Sequence, residues 1–210
     1  MLAFTREAFC SDNRDSKLWI EEEISHDMSD RLSFKLGFNE RFDDDISRWE
    51  EFYIDTGIDY KLFDWLVLGP RYRYIKARFN SSDELTENRL HMNVELKMKW
   101  KMLSVESRSR YEYRTFENDI IKHRFTERIK IAIPLGWKIK NRSLEIYFSD
   151  ELYYDIDNHE VNNNENHLGV KLPLSKILSL KLYYGHEIKR INKKWTFNTN
   201  IIGITAGYKF

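Results

Sequence analysis

Residues 91–114 read HMNVELKMKWKMLSVESRSRYEYR, and apolar and polar side chains alternate along this stretch. One face of its first half is apolar and consists of Met92, Val94, Leu96, Met98 and Trp100. The other face is polar and consists of His91, Asn93, Glu95, Lys97 and Lys99. A period of two is typical of a β-strand with two unlike faces, whereas a helix would mix the two sets on one side. The stretch therefore predicts two consecutive strands joined near Lys101.

The same alternation recurs along most of the chain, as in residues 32–39, 51–60 and 178–185. It predicts an all-β fold, an antiparallel up-and-down transmembrane β-barrel of about ten to twelve strands. We expect one barrel over residues 17–210, preceded by an N-terminal segment of residues 1–16. Single-chain bacterial barrels usually have an even number of strands. Either residues 3–9 supply a twelfth strand, or the predicted strand at residues 17–25 lies outside the wall.

Composition excludes several classes of protein. The 34 basic and 34 acidic side chains cancel, so nucleic-acid binding lacks its usual electrostatic support. A mean hydropathy of −0.64 is compatible with a membrane barrel, because only alternate strand residues face lipid. Cys10 is the only cysteine, so no intrachain disulfide can form. The first residues lack the apolar core of a signal peptide, and we expect that such a leader was removed.

The connections between predicted strands differ in length. Short ones are expected at residues 26–30, 63–64, 101, 134–136 and 174–175, and longer polar ones at 43–50, 80–88, 116–121 and 155–166. Short turns at one rim and long loops at the other are typical of outer-membrane barrels. Aromatic residues near the ends of the apolar stripes would form the interfacial girdles. The pattern favours apolar side chains facing lipid, although a soluble ligand-binding β-barrel with the faces reversed is the alternative.

The last strand ends in an apolar stripe that includes Ile202, Ile204, Ala206, Tyr208 and Phe210. A terminal phenylalanine with an aromatic residue two positions earlier resembles the assembly signal of outer-membrane barrels. Tyr208 and Phe210 are therefore expected to be recognised by the barrel-assembly machinery, and outer-membrane lipid is the expected surrounding partner.

Several short motifs resemble one known family. They are Leu18-Trp19-Ile20, Asn39-Glu40-Arg41-Phe42, Gly57-Ile58-Asp59-Tyr60, Gly69-Pro70-Arg71-Tyr72-Arg73, residues 108–114 and the closing Gly207-Tyr208-Lys209-Phe210. In this order they resemble a poorly characterised group of bacterial outer-membrane β-barrel proteins, a domain of unknown function (DUF2490). The resemblance implies a barrel in the outer membrane of a Gram-negative cell, and it supplies no catalytic residues.

If the polar face lines the lumen, it forms a network of charges. Its expected members are Lys35, Arg41, Asp55, Asp59, Arg71, Arg73, Glu95, Glu106, Arg108, Arg110, Glu112, Arg114, Arg124, Arg128 and Glu145. Long side chains can bridge much of so narrow an interior. One interpretation is a lumen plugged by ion pairs. The other is a narrow, porin-like conduit with a basic bias, for which small anionic solutes are the expected partners.

An outer-leaflet lipid hydrolase is the alternative function. Ser107, Ser109, His123 and Glu127 share an otherwise apolar face, and a serine, a histidine and a glutamate could perform acyl hydrolysis. His123 and Glu127 are four residues apart on one strand, about 13 Å, whereas a base and its orienting group need contact. These residues are therefore weak catalytic candidates. The scattered histidines predict no metal site, and we expect no cofactor.

Overall fold

The computed structural model describes residues 15–78, 84–117, 119–191 and 193–210. Eleven strands make up the described wall. They are β1 (Asp15–Asp27), β2 (Leu32–Asp43), β3 (Arg48–Phe63), β4 (Leu66–Arg78), β5 (Glu84–Trp100), β6 (Leu103–Phe116), β7 (Ile121–Ile139), β8 (Arg142–Asp155), β9 (Glu160–Pro173), β10 (Leu178–Ile191) and β11 (Lys194–Lys209). Within these ranges no helix is long and apolar enough to cross a membrane.

The strands form one closed barrel in which each strand pairs with its neighbours in sequence. Sequential pairs are antiparallel, but β1 and β11 close the barrel as a parallel pair, with Ile20 opposite Ile204. This follows from the odd strand number, because the first and last strands of an alternating meander then run the same way. The segment at residues 17–25 does join the wall, as part of β1. Residues 3–9, the proposed twelfth strand, lie outside the described residues.

The apolar side chains face outward and the charged ones inward. Met98 is 61% exposed and Leu168 56% exposed, whereas Glu112 and Thr126 are 0% exposed. Long polar side chains thus occupy much of the interior. The alternation along each strand thus separates the two faces as the period of two predicts.

The difference in loop length between the rims is smaller than the sequence predicts. We define the C-terminal rim as the end that holds Phe210, whose backbone bonds to Ser25 and Asp27 of β1. Connections at this rim span two to four residues, and those at the opposite rim span two to five. The polar segments extend the strands instead: β9 begins at Glu160, and Asn163 pairs with Tyr153.

The turn predicted at residues 134–136 is also displaced. β7 continues to Ile139, with an irregular register between Pro134 and Lys138. Proline cannot donate to the ladder, and a bulge accommodates it without ending the strand. The chain turns at Lys140 and Asn141, whose φ angles of 47° and 64° suit a tight hairpin.

Aromatic residues and glycines alternate around the inside of β8 to β11 and β1. Tyr147 and Tyr183 both lie opposite Gly169, and Gly203 lies between Tyr183 and Trp19. A Cβ atom at Gly203 would overlap the Tyr183 ring, so the glycine makes room for that ring. The aromatic rings thus occupy part of the interior on this side of the barrel, beside charged groups such as Lys181 and Glu23.

Candidate functional site

A cluster of charged side chains lies inside β5, β6 and β7, and we call it the closing cluster. It consists of Glu87, Arg89, Arg110, Glu112, Arg114 and Arg124. The register builds it, because Arg89 lies opposite Arg114 and Glu112 lies opposite Arg124. Like charges on facing strands repel, so a carboxylate must lie between them.

Two glutamates provide this compensation. Glu112 is fully buried and accepts hydrogen bonds from Arg124 at 2.6 Å, Arg110 at 3.3 Å and Arg89 at 3.4 Å. Glu87 accepts from Arg89 at 2.8 Å and from Arg114 at 2.7 and 2.8 Å. Charge-assisted bonds of this kind are about twice as strong as neutral ones. The cluster is therefore a compact block of side chains within the lumen, in which two glutamates bind all four arginines.

Contacts between non-neighbouring strands complete this layer on the other side of the barrel. Trp19 is buried, with the Arg41 guanidinium 3.8 Å above its ring and the His167 ring 5.6 Å away on β9. Lys17 forms ion pairs with Glu50 of β3 and with Glu187 of β10. The contacts of β1 with His167, Glu50 and Glu187 join strands that share no backbone ladder, so these side chains fill the lumen at this level.

Below the closing cluster lies a cavity of about 690 Å³, which we call the basin. Its wall includes Ser25, Ser175 and Lys209 at the C-terminal rim but no residue from the connections at the opposite rim. The basin therefore opens at the C-terminal rim and ends near the level of Trp19 and Arg41. Fourteen lysines and arginines line it, against nine aspartates and glutamates, so its wall carries a net positive charge.

Most ion pairs in the basin join side chains on neighbouring strands. Arg73 and Arg71 bond to Asp55 and Asp59 respectively, both at 2.7 Å. Lys35 lies 3.6 Å from Asp59.

Three further pairs lie along β5 to β8. Arg128 bonds to Glu106 at 2.8 Å, and Arg108 reaches past β7 to Glu151 at 2.6 Å. Glu95 lies 3.0 Å from Lys97. Glu145 shares the inward face of β8 with Tyr147, and within the described chain it forms no ion pair.

Some cations in the basin lack a carboxylate partner among the described residues. Lys130, Arg142 and Lys171 form no ion pair there, although Lys130 lies 5.1 Å from the centre of the Tyr147 ring. The buried Nε atoms of Arg71, Arg108 and Arg128 have no hydrogen-bond acceptor. Donor capacity is thus left over in the basin, whereas in the closing cluster the Nε atom of each arginine has an acceptor.

The family model described as a protein of unknown function (DUF2490) matches residues 16–201. The chain belongs to the DUF2490 family. The resemblance seen in the sequence motifs is thereby confirmed over nearly the whole chain. No curated protein matches this DUF2490 chain.

Two solved structures are similar to this DUF2490 chain. One is the NanC porin, with 13% identity, a TM-score of 0.47, and coverage of 89% of this chain and 93% of the porin. Another is the siderophore receptor PirA from Pseudomonas aeruginosa, with 9% identity, a TM-score of 0.32, and coverage of 81% of this chain and 35% of the receptor. Likenesses this distant assign no function, which must come from the side chains of this chain.

The weak catalytic candidates lie on the outer face and do not form a triad. The hydroxyls of Ser107 and Ser109 both donate to the Glu127 carboxylate. His123 instead pairs with Tyr111, with 2.7 Å between Nδ1 and the phenol oxygen. The structure thus joins the serines to the glutamate and leaves the histidine with the tyrosine. No group of three or more potential metal ligands occurs in the part of the chain that the structure describes.

Sequence reasoning missed several members of the closing cluster. Glu87 fell within a predicted loop at residues 80–88, yet it lies in β5 and is 5% exposed. Glu87, Arg89 and His91 continue the alternation of residues 91–100, so extending that phase backward would have found them. The pairing of Lys17 with Glu187 has no comparable signal, because it depends on closure of the barrel.

Proposed function

We propose that this chain is an outer-membrane β-barrel whose lumen is closed to through-passage by the closing cluster. Membrane residence is supported by the exposed apolar side chains, since water-soluble monomers rarely expose so large an apolar surface. Trp65, Trp100 and Trp137 lie near the C-terminal rim and are 55%, 64% and 75% exposed, as in an interfacial girdle. These exposures argue against a soluble barrel with an apolar centre.

Closed strand pairing supports the same location. In a closed barrel every strand is paired along both edges. Its backbone N–H and C=O groups are then hydrogen-bonded, as the hydrocarbon core of a bilayer requires. Single-chain barrels of about this size are typical of bacterial outer membranes. The partners implied by this location are outer-membrane lipid and the barrel-assembly machinery. The machinery would bind the C-terminal strand through Tyr208 and Phe210, which lie beside β1.

The observation that carries the closed state is the complete burial of Glu112 among three arginines. An open channel would leave its lining charges hydrated, as in water-filled porins. Here each arginine of the cluster is held by a carboxylate, so the side chains are fixed across the axis. Solute could enter the basin but would meet this block before reaching the opposite rim.

Conductance in planar lipid bilayers tests the proposal. We expect no steady current from the wild-type barrel, because the closing cluster blocks the axis. Glu112→Ser/Arg124→Ser shortens two facing side chains of that cluster and should produce a voltage-independent current. Glu106→Ser/Arg128→Ser is the matched control, since it removes an ion pair between β6 and β7 from the basin instead. Heat-modifiable mobility on gels verifies that each variant is folded.

An ohmic current from wild-type protein would overturn the closed lumen. So would equal currents from the two folded double variants, since the closing cluster would then have no special part in closure. Failure of the protein to insert into any bilayer, with solubility in the absence of detergent, would overturn membrane residence itself.

A further inference from the structure

The basin differs from the closing cluster in how its positive charge is compensated. In the closing cluster each glutamate serves two or three arginines, and every arginine there has a carboxylate partner. In the basin two like-charged pairs face each other across neighbouring strands, Arg108 with Arg128 and Lys171 with Lys181. Such pairs are destabilising unless something negative lies near them.

The available carboxylates only partly meet this need. Glu106 accepts one hydrogen bond from Arg128, and Glu151 accepts one from Arg108. Glu23 accepts one from Lys181. A guanidinium has five donors, so each arginine retains capacity that no protein acceptor uses. Its Nε–H and one terminal N–H form the fork that binds phosphate or carboxylate oxygens in pairs.

We propose that the basin binds a small solute carrying two or more oxyanion charges, from phosphate or carboxylate groups, which enters through the C-terminal rim. Arg108 and Arg128 hold one anionic group, and Lys130 and Lys171 hold the other. A volume of about 690 Å³ lies within the range of small-molecule sites. Aromatic walls at Tyr147 and Tyr183 contact the uncharged part of the solute.

This proposal rests on the closed lumen proposed above, because a blind basin retains its solute whereas an open channel would let it pass. It goes beyond that proposal in naming a ligand class and the side from which the ligand arrives. Because the excess cations of the basin attract the anionic solute, its affinity falls as the ionic strength rises.

Calorimetric titration of the folded barrel in uncharged detergent, at low salt, tests the site. Pyrophosphate and citrate are the two probes, and they distinguish a phosphate-bearing from a carboxylate-bearing solute. We expect saturable binding of at least one of them. Lys171→Gln and Arg128→Gln should each weaken it about tenfold, the loss expected for one charge-assisted bond.

Arg190→Gln is the matched control. It removes the same charge from a residue that does not line the basin and pairs with Glu160 instead. Its affinity should equal that of wild type.

Absence of saturable binding by either probe would overturn the proposal. Equal weakening in Arg190→Gln and Lys171→Gln would also overturn it, because the attraction would then be only the charge of the whole molecule. Bilayer recordings on the same preparation separate this failure from that of the closed lumen. Silent bilayers without binding contradict the basin site alone, whereas a steady current contradicts closure.

Discussion

At the scale of single residues, two glutamates on neighbouring strands face opposite sides of the barrel wall, and their surroundings differ accordingly. Glu106 of β6 faces the lumen and pairs with Arg128. Glu127 of β7 faces outward, where Ser107 and Ser109 are its hydrogen-bond donors within the described chain. A carboxylate that faces acyl chains is destabilising, and two hydroxyl groups offset only part of that cost.

The same substitution should therefore have opposite effects at these two positions. Glu127→Leu should raise the free energy of unfolding in liposomes by about 1 kcal/mol, since it removes a polar group from the lipid face. Glu106→Leu should lower it by about 1 to 2 kcal/mol, because Arg128 loses its carboxylate in a half-hydrated site. Urea unfolding followed by tryptophan fluorescence measures both. A stabilising Glu106→Leu together with a destabilising Glu127→Leu would mean that the faces are reversed.

At the scale of strands, the parallel pairing of β1 with β11 is the feature that makes eleven strands a closed barrel. A cysteine pair placed at Ile20 and Ile204, in a background carrying Cys10→Ser, should form a crosslink, because these two residues face each other. Ile20→Cys with Tyr208→Cys is the control, since Tyr208 lies opposite Ile24. Gel mobility under non-reducing conditions reports the crosslink. Efficient crosslinking only in the control would contradict the register of this closure.

The strands could be predicted largely from alternation, and their ends could not. The phase of residues 91–100 correctly separates the two faces of β5. The polar run that includes Asn163 and Glu165 predicts a loop. Both residues nevertheless lie in β9, because a charged lumen accommodates polar strand residues. Pro134 was interpreted as a turn, although a bulge carries β7 past it.

Of the contacts in the lumen, only those between facing residues of adjacent strands could be predicted from the sequence. Alternation identified Glu112 and Arg124 as lumen charges, and their contact follows from the register of two adjacent strands. The bond from Arg108 to Glu151 spans an intervening strand, so it requires the curvature of the barrel. Which lumen cations have a carboxylate partner, and which do not, likewise depends on the closed barrel.

At the scale of the whole molecule, the proposed membrane residence requires an apolar exterior in lipid and an ionic interior separated from it. Two tryptophans test this division because they lie on opposite faces of the wall. Trp137 is 75% exposed near the C-terminal rim, and Trp19 is 2% exposed inside the barrel. Variants that keep only one of the six tryptophans, with the others changed to phenylalanine, isolate each signal.

Fluorescence quenching by phospholipids spin-labelled near the headgroup is the most direct measurement of this division. With each single-tryptophan barrel reconstituted into such liposomes, we predict strong quenching of Trp137 and almost none of Trp19. Quenching of Trp19 as strong as that of Trp137, or no effect of the labelled lipid on Trp137, would contradict a barrel that turns its apolar face to the membrane.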